Sequence, residues 1–584
     1  MQNKYSLLHL IPYLRRYRTK LALGFAMVVC TVAASMVSPW VLKYVVDDIQ
    51  VTLAPGKLPG YAALILGISV VEGFFRFWMR KILIGASREI EYDLRNDFFA
   101  HLQKLSLSFF QTHSTGDVMS RATNDLNAVR SVLGPGIMYS VTTLVTVVVA
   151  TAVLFRLNWK LTLLAYIPLV LASLGVKKFG RQIHDRFESI QEQFSHISTR
   201  VQENLAGIRV VKAFAREDSE IEVFRELNED YVRRSVSLIR LWGIFYPMMS
   251  ALIGLSAVAL LWYGGREVVH KHLTLGEFVA FLGYLSMLTW PTIATGWVIN
   301  IFQRGAASMD RILRILHTEP EIQDATSCSA PCPARGTLEI RDLSFCYPNS
   351  ERQVLRGISL TVPAGQTLAI VGHTGSGKST LVNLIPRLFD PPPGTVFVDG
   401  RDVRQWPLRE LRRMLGYVPQ ETFLFSDTIR ANIAFCKEEG ISDQEAGWAT
   451  RISAIEDDIR NFPHGLRTFI GERGITLSGG QKQRVAISRA VTRSPKILIL
   501  DDSLSSVDTY TEERILQGLK EVMKDRTTIL VSHRISTVKD AHQIIVLQDG
   551  VIVEQGTHES LMARDGAYAA LYQKQLLEEE LATA

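Results

Sequence analysis

Disulfides are not what holds this chain together, because its 584 residues include five cysteines, Cys30, Cys328, Cys332, Cys346 and Cys436. They are too few and too scattered for a disulfide framework, so reduced thiols are the expectation. Cys328 and Cys332 stand in Ser-Cys-Ser-Ala-Pro-Cys-Pro with no further metal ligands beside them, which reads as linker rather than metal site. Nor does one sign of charge dominate. Lys and Arg number 64 against 58 Asp and Glu, and the basic residues sit beside apolar segments instead of forming a stripe. That argues against a nucleic-acid face and for membrane-flanking charge. No cleavable signal is expected either: Arg15-Arg16-Tyr17-Arg18-Thr19-Lys20 is followed by an apolar run too long for a signal core.

What the chain has in excess is apolar residues, 47% of the total, and they gather ahead of Gly305. Segments at about Leu21–Leu42, Tyr61–Ile84, Leu133–Phe155, Leu161–Val176, Leu241–Tyr263 and Phe278–Phe302 read as six helices crossing the ~30 Å hydrocarbon core. The basic cluster before the first places the N-terminus in the cytoplasm, and with six spans the C-terminus as well. Long charged stretches after the second and fourth spans are internal, whereas the external loops are short. Arg156 and Lys160, in an external turn, run against the charge rule. The expected fold is a membrane all-α six-helix domain over 1–325, a Ser/Cys/Pro/Ala linker at 326–336, and an α/β domain over 337–584. There, short apolar strands alternate with helical patterns. Within the second span, Glu72 and Arg76 are spaced to pair on one helix face. Glu72 lies about 16 Å below Tyr61 at ~1.5 Å per residue, near the bilayer middle. Intramembrane charges usually face a protein or aqueous interior, which makes this pair a candidate substrate pathway. A structural ion pair is the plainer alternative.

The most informative stretch is Gly372-His373-Thr374-Gly375-Ser376-Gly377-Lys378-Ser379-Thr380. An apolar β-type run, Thr367–Val371, precedes it and a helical pattern follows, the strand–loop–helix context of a P-loop. The glycines let backbone N–H groups curl around an anion, and the helix N-terminus adds its dipole. Lys378 would reach the β- and γ-phosphates of a nucleoside triphosphate, and Ser379 would take a place on Mg²⁺. Downstream, Lys496–Leu500 is a buried-strand run ending in Asp501-Asp502. Asp501 suits the Mg²⁺ acid, while Asp502 stands where a base or water-orienting group should face the γ-phosphate.

Between these two motifs lies Leu477-Ser478-Gly479-Gly480-Gln481. With that pentapeptide the chain resembles an ATP-binding cassette (ABC) transporter. Six spans followed by one cassette resembles an exporter half-transporter of the multidrug and lipid-flippase type. The resemblance implies further roles for residues in family order. Tyr347 would stack on adenine, Gln420 would touch Mg²⁺ and the membrane domain, and His533 would be the switch histidine at the γ-phosphate. Ser505–Asp508 matches the dimer loop, and Gly471–Gly474 an exporter-specific element. Ser114–Arg121 and Gly207–Phe214 resemble the two cytoplasmic coupling regions, and Ala306–Ile312 the exit from the sixth span.

Such a protein is expected to work as a dimer in a cytoplasmic membrane, exporting hydrophobic or amphipathic substrates, lipids included, with ATP and Mg²⁺. Leu477, Ser478, Gly479, Gly480, Gln481 and Asp508 would serve ATP held by the second half-transporter. The position after Asp501 is usually Glu in members with two active sites, and Asp502 is shorter by a methylene. A displacement of about 1 Å can cost on the order of 10² in rate. The chain therefore resembles the subunit of heterodimeric bacterial multidrug exporters that carries the degenerate catalytic acid. A homodimer using Asp502 as base, a non-transport ABC ATPase and a regulatory ABC protein are the alternatives.

Overall fold

The computed structural model describes residues 6–52, 55–324, 335–348, 350–471 and 477–583. Cys328, Cys332 and most of the expected linker lie outside these residues, as do Glu472, Arg473 and Gly474. The chain divides into two compact units, Met1–Gln103 with Thr115–Thr318, and Lys104–Ser114 with Glu319–Ala584.

The first unit is helical. Its main elements are α1 (Arg18–Thr52), α2 (Leu58–Leu102), α3 (Ile137–Leu157), α4 (Trp159–Ala206), α5 (Glu217–Ala259), α6 (Leu275–Met287) and α7 (Thr289–Leu316). Among the described residues, five stretches are long and apolar enough to cross a membrane: Arg18–Gln50, Leu58–Leu102, Thr115–Leu157, Glu217–Val269 and Leu275–Leu316. The remaining expected span, Leu161–Val176, falls on α4, where several side chains lie outside the described set. Ahead of α3 the helix takes a π turn at Val132–Gly136, which contains Pro135. Proline has no N–H for the helical ladder, so a local change of hydrogen-bond register there has a direct cause.

Val28, Val32, Leu83, Leu154, Leu161 and Phe281 belong to one buried cluster that joins α1, α2, α3, α4 and α6. α1 and α6 approach so closely that a Cβ on Gly276 would stand 2.1 Å from the Lys43 carbonyl oxygen. In place of a side chain, the Gly276 N–H donates to Asp47 Oδ1 at 2.8 Å, and Lys43 pairs with Glu277 at 2.9 Å. α4 and α5 run along each other, tied by Arg234 to the Ser189 carbonyl at 3.0 Å and by Arg200 to Glu220 at 2.6 Å. The short helix Ile208–Ala213 that joins them leaves Val210 and neighbouring Phe214 exposed.

In the second unit, alternating apolar strands build two sheets. The larger has the order β10-β9-β3-β8-β7-β6, from β3 (Thr367–Val371), β6 (Leu415–Val418), β7 (Ile497–Asp501), β8 (Thr527–Val531), β9 (Gln543–Gln548) and β10 (Val551–Gly556). All but β10 run parallel. Every residue of β3, β7 and β8 is buried, as expected of strands covered on both faces. The smaller sheet orders β2 (Gln353–Val362), β1 (Leu338–Cys346), β4 (Val396–Val398) and β5 (Arg401–Asp402) antiparallel. A helical layer between β6 and β7 has its own core of Leu424, Ile429, Ile433, Ile455, Leu477 and Val485. The segment Lys104–Ser114 belongs to this unit, where Ser106 and Ser108 both donate to Glu321.

Candidate nucleotide site

In an open parallel sheet, ligands bind beyond the carboxyl ends of the strands. Four adjacent strands, β3, β8, β7 and β6, deliver the candidate residues to that edge. The phosphate loop follows β3, His533 stands two residues beyond β8, Asp501 ends β7, and Gln420 stands two residues beyond β6. They meet in a cavity of about 280 Å³ lined by Thr374, Gly375, Gly377, Lys378, Ser379, Thr380, Gln420, Asp501, Asp502 and His533, with Val354 and Val531.

The loop has the shape of an anion cradle. Gly377 caps α8 (Lys378–Leu384) with φ near +101°, a left-handed value that favours glycine. Gly372 has φ near +151°, and a Cβ there would lie 2.2 Å from the Leu547 carbonyl oxygen. Lys378 is buried and folds over the loop, donating to the carbonyls of Gly372 and His373 at 2.9 Å each. Burial pulls its ammonium pKa down, while Asp502 and Asp501 act in the opposite sense. The hydroxyl of Ser376, in the middle of the loop, is buried without a hydrogen-bond partner. An unmatched buried hydroxyl costs free energy that a phosphate oxygen would recover. These features fit a bound triphosphate.

The donor set also fits a magnesium ion. Ser379 Oγ donates to Asp501 Oδ1 at 3.1 Å, so the two proposed ligands already touch. Burial raises the Asp501 pKa, with the neighbouring Asp502 adding to it; a divalent cation would relieve both. Among the described residues no group of three or more His, Cys, Asp and Glu could hold a metal. Mg²⁺ typically takes one or two protein carboxylates and completes its shell with phosphates and water, which matches this sparse set.

Asp502 sits in the left-handed region, φ near +45°. Its N–H donates to the Val531 carbonyl at 3.0 Å, and its carbonyl accepts from Ser505 Oγ at 3.0 Å. Gln420 Nε2 is 3.5 Å from Asp502 Oδ2. The His533 pKa is lowered by burial and by Lys378, which keeps the imidazole neutral at neutral pH.

The remaining candidates are not among the residues that line the cavity. The Tyr347 hydroxyl bonds Thr380 Oγ1 at 2.9 Å, and its ring stands edge-on to Phe345 and Phe389. Ser478 caps α9 (Gly479–Thr492) in a reciprocal box with Gln481, and Leu477 is buried beneath. Asp508 caps α10 (Thr509–Met523), accepting from the Thr511 N–H at 2.9 Å, which holds its carboxyl below the usual range. None of Leu477–Gln481 or Asp508 lines the cavity. In the other unit, Glu72 and Arg76 form an ion pair on α2, with Arg76 beside a groove of about 520 Å³ that also involves Phe77, Arg80 and Lys81. One residue passed over in the sequence is Gln483. It donates to Ser505 Oγ and accepts from the Ser506 N–H, both at 3.1 Å, tying α9 to the loop before α10. A lone Gln on a helix carries no pattern that would single it out.

The fold and this cavity define an ATPase cassette joined to a helical membrane domain. The family described as "ABC transporter transmembrane region" matches residues 21–292, and that described as "ABC transporter" matches 355–505. Among curated proteins, the probable multidrug resistance ABC transporter ATP-binding/permease protein YheI of Bacillus subtilis is 36% identical over 97% of each chain. The ATP-dependent lipid A-core flippase of Syntrophus aciditrophicus is 36% identical over 95% of this chain and 92% of its own. A solved structure of a bacterial Atm1-family ABC exporter with ATP bound aligns with a TM-score of 0.77 at 29% identity. It covers 96% of this chain and 98% of that one. The chain belongs to the ABC transporter family. It is a multi-pass membrane protein whose cassette binds ATP and couples its hydrolysis to transport.

Proposed function

We propose that this chain is one half of a heterodimeric exporter that moves hydrophobic or amphipathic molecules, drug-like compounds or lipids, across a cytoplasmic membrane. Both termini and the cassette face the cytoplasm. The names of its relatives, a multidrug resistance protein and a lipid A-core flippase, support that substrate class. The observation that carries the heterodimer is the pinning of Asp502. Its backbone is held on both sides, by Val531 and by Ser505, so it cannot readily advance to make up for the missing methylene. The Ser478 box is meanwhile intact, and the signature lies outside this chain's own cavity, free to face a second cassette. In this reading the partner brings a full-length acid and a weaker signature. The hydrolysing site is then formed by the partner's loop and Ser478–Gln481, while the site with Lys378 and Asp502 holds ATP for longer.

The division of labour follows from the cavity. Lys378 moves from the loop carbonyls to the β- and γ-phosphates, neutral His533 donates to the γ-phosphate, and Gln420 senses the phosphate side of the cavity. Ser379 and Asp501 would hold Mg²⁺, which would supply neutralisation of phosphate charge. To test the assignment, the chain is purified from its native membrane and its companions are identified by mass spectrometry. The complex is then reconstituted in vesicles to follow ATP-dependent movement of a fluorescent amphiphile. A second half-transporter and directional movement are expected; a lone chain with no transport contradicts the proposal.

Two further outcomes follow. Because the Asp501 pKa is raised, protonation competes with Mg²⁺ at a higher pH than for an ordinary carboxylate of about 3.9. The Mg²⁺ concentration that half-saturates nucleotide trapping should therefore rise as pH is lowered, starting at a higher pH than an unshifted carboxylate would give. A flat dependence would remove Asp501 from the metal site. For the pathway, Glu72→Gln with Arg76→Gln should change which amphiphiles are transported, since charges within the bilayer mark translocation routes. An unchanged substrate profile would make the pair structural.

A further inference from the structure

Glu512 is a buried carboxylate on α10 that no part of the nucleotide chemistry above uses. It receives the guanidinium of Arg534 on one oxygen and the hydroxyl of Thr537 on the other. Arg534 is the residue next to His533, and its side chain reaches across to the Val507 carbonyl at 3.4 Å, between Ser505 and Asp508. Its own backbone is fixed by Ser532, whose Oγ accepts the Arg534 N–H at 2.9 Å and donates to the Arg534 carbonyl at 3.2 Å. One residue further, the Ile535 N–H donates to Gln575 Oε1 at 2.7 Å. The loop carrying His533 is thus held at consecutive residues, and Arg534 is the only one of these ties that also grips the dimer loop. Through Ser506 and Gln483, that loop is in turn bound to the signature helix.

We propose that Glu512 and Arg534 are a positioning pair that sets His533 against the γ-phosphate and keeps it in register with the dimer loop and α9. The inference rests on the reading of His533 as a γ-phosphate donor. Physically, a charged bidentate acceptor buried to 4% exposure has few ways to re-pair if Arg534 leaves. The pair should therefore be a stiff joint, and loosening it should let His533 drift from the phosphate while leaving the Lys378 cradle in place. A misplacement of about 1 Å suffices to matter at such a site.

The experiment uses the purified full-length transporter with its partner and measures the lifetime of ATP trapped at the Lys378 site, ATP affinity, and melting temperature. Variants are Arg534→Met, Arg534→Lys, Glu512→Gln, His533→Ala and the double Arg534→Met/His533→Ala. Expected are a trapped-ATP lifetime lengthened about tenfold in Arg534→Met and Glu512→Gln, because a displaced γ-phosphate donor slows the hydrolysis that ends trapping, with ATP affinity within about twofold. Arg534→Lys should bring the lifetime part of the way back to the wild-type value, because an ammonium can still reach Glu512. The double variant should be no worse than His533→Ala alone, since residues acting as one unit are non-additive. Effects that multiply in the double variant, or a melting shift with an unchanged lifetime, would overturn the pair. An unchanged lifetime in His533→Ala would instead overturn the reading of His533 on which the pair depends.

Discussion

Lys378→Ala should abolish ATP trapping at the site this chain's loop forms, lowering it by on the order of 10² to 10³ as for loss of a preorganised charge donor. Lys378 lies across the loop mouth, held by the carbonyls of Gly372 and His373. These two bonds keep a buried ammonium solvated until phosphate replaces them. Alanine fills none of that role, and among the described residues no other Lys or Arg lines the cavity. The cassette should still fold, because the tight features of the loop depend on Gly372 and Gly377 rather than on Lys378. Photolabelling with an azido-ATP analogue, read separately on each half of the complex, checks this. Unchanged labelling of the variant would contradict the assignment.

Asp502→Glu should raise turnover at this chain's own site by about 10², the inverse of the loss expected for a carboxylate that falls short. The added methylene advances the carboxylate by about 1.5 Å. There is an opposing effect. Position 502 lies at φ near +45°, which Asp accepts more readily than Glu, so the variant should lose up to about 1 kcal/mol of cassette stability. A hundredfold gain in rate corresponds to about 2.7 kcal/mol of barrier, so the rate effect wins. Single-turnover hydrolysis in the assembled complex separates the two: faster decay of trapped ATP is expected, with a slightly lower melting temperature.

That Lys378, Ser379, Gln420, Asp501, Asp502 and His533 share one cavity was readable in advance for a physical reason. Each stands at or beyond the carboxyl end of a short, mostly apolar strand, and these four strands lie side by side in one parallel sheet. The helical membrane unit was legible from hydropathy. What was not legible depends on partners distant in sequence. The helix Leu107–Thr112 joins the second unit through Glu321, and a carboxylate more than two hundred residues away leaves no local trace. Tyr347 offered an aromatic face in sequence, yet its hydroxyl contact with Thr380 is visible only in the fold. Gln483, Glu512 and Arg534 were missed because each looks like an ordinary polar residue on or beside a helix. Burial and the facing loop give them their roles.

The proposed unequal pairing stands or falls on the ATPase rate of this chain purified without any partner. Slow hydrolysis by the lone wild-type protein is expected, with a marked rise in Asp502→Glu and little further loss in Asp502→Ala. Brisk turnover by the lone wild-type chain, lost in Asp502→Ala, would contradict that pairing and make Asp502 a working base in a homodimer.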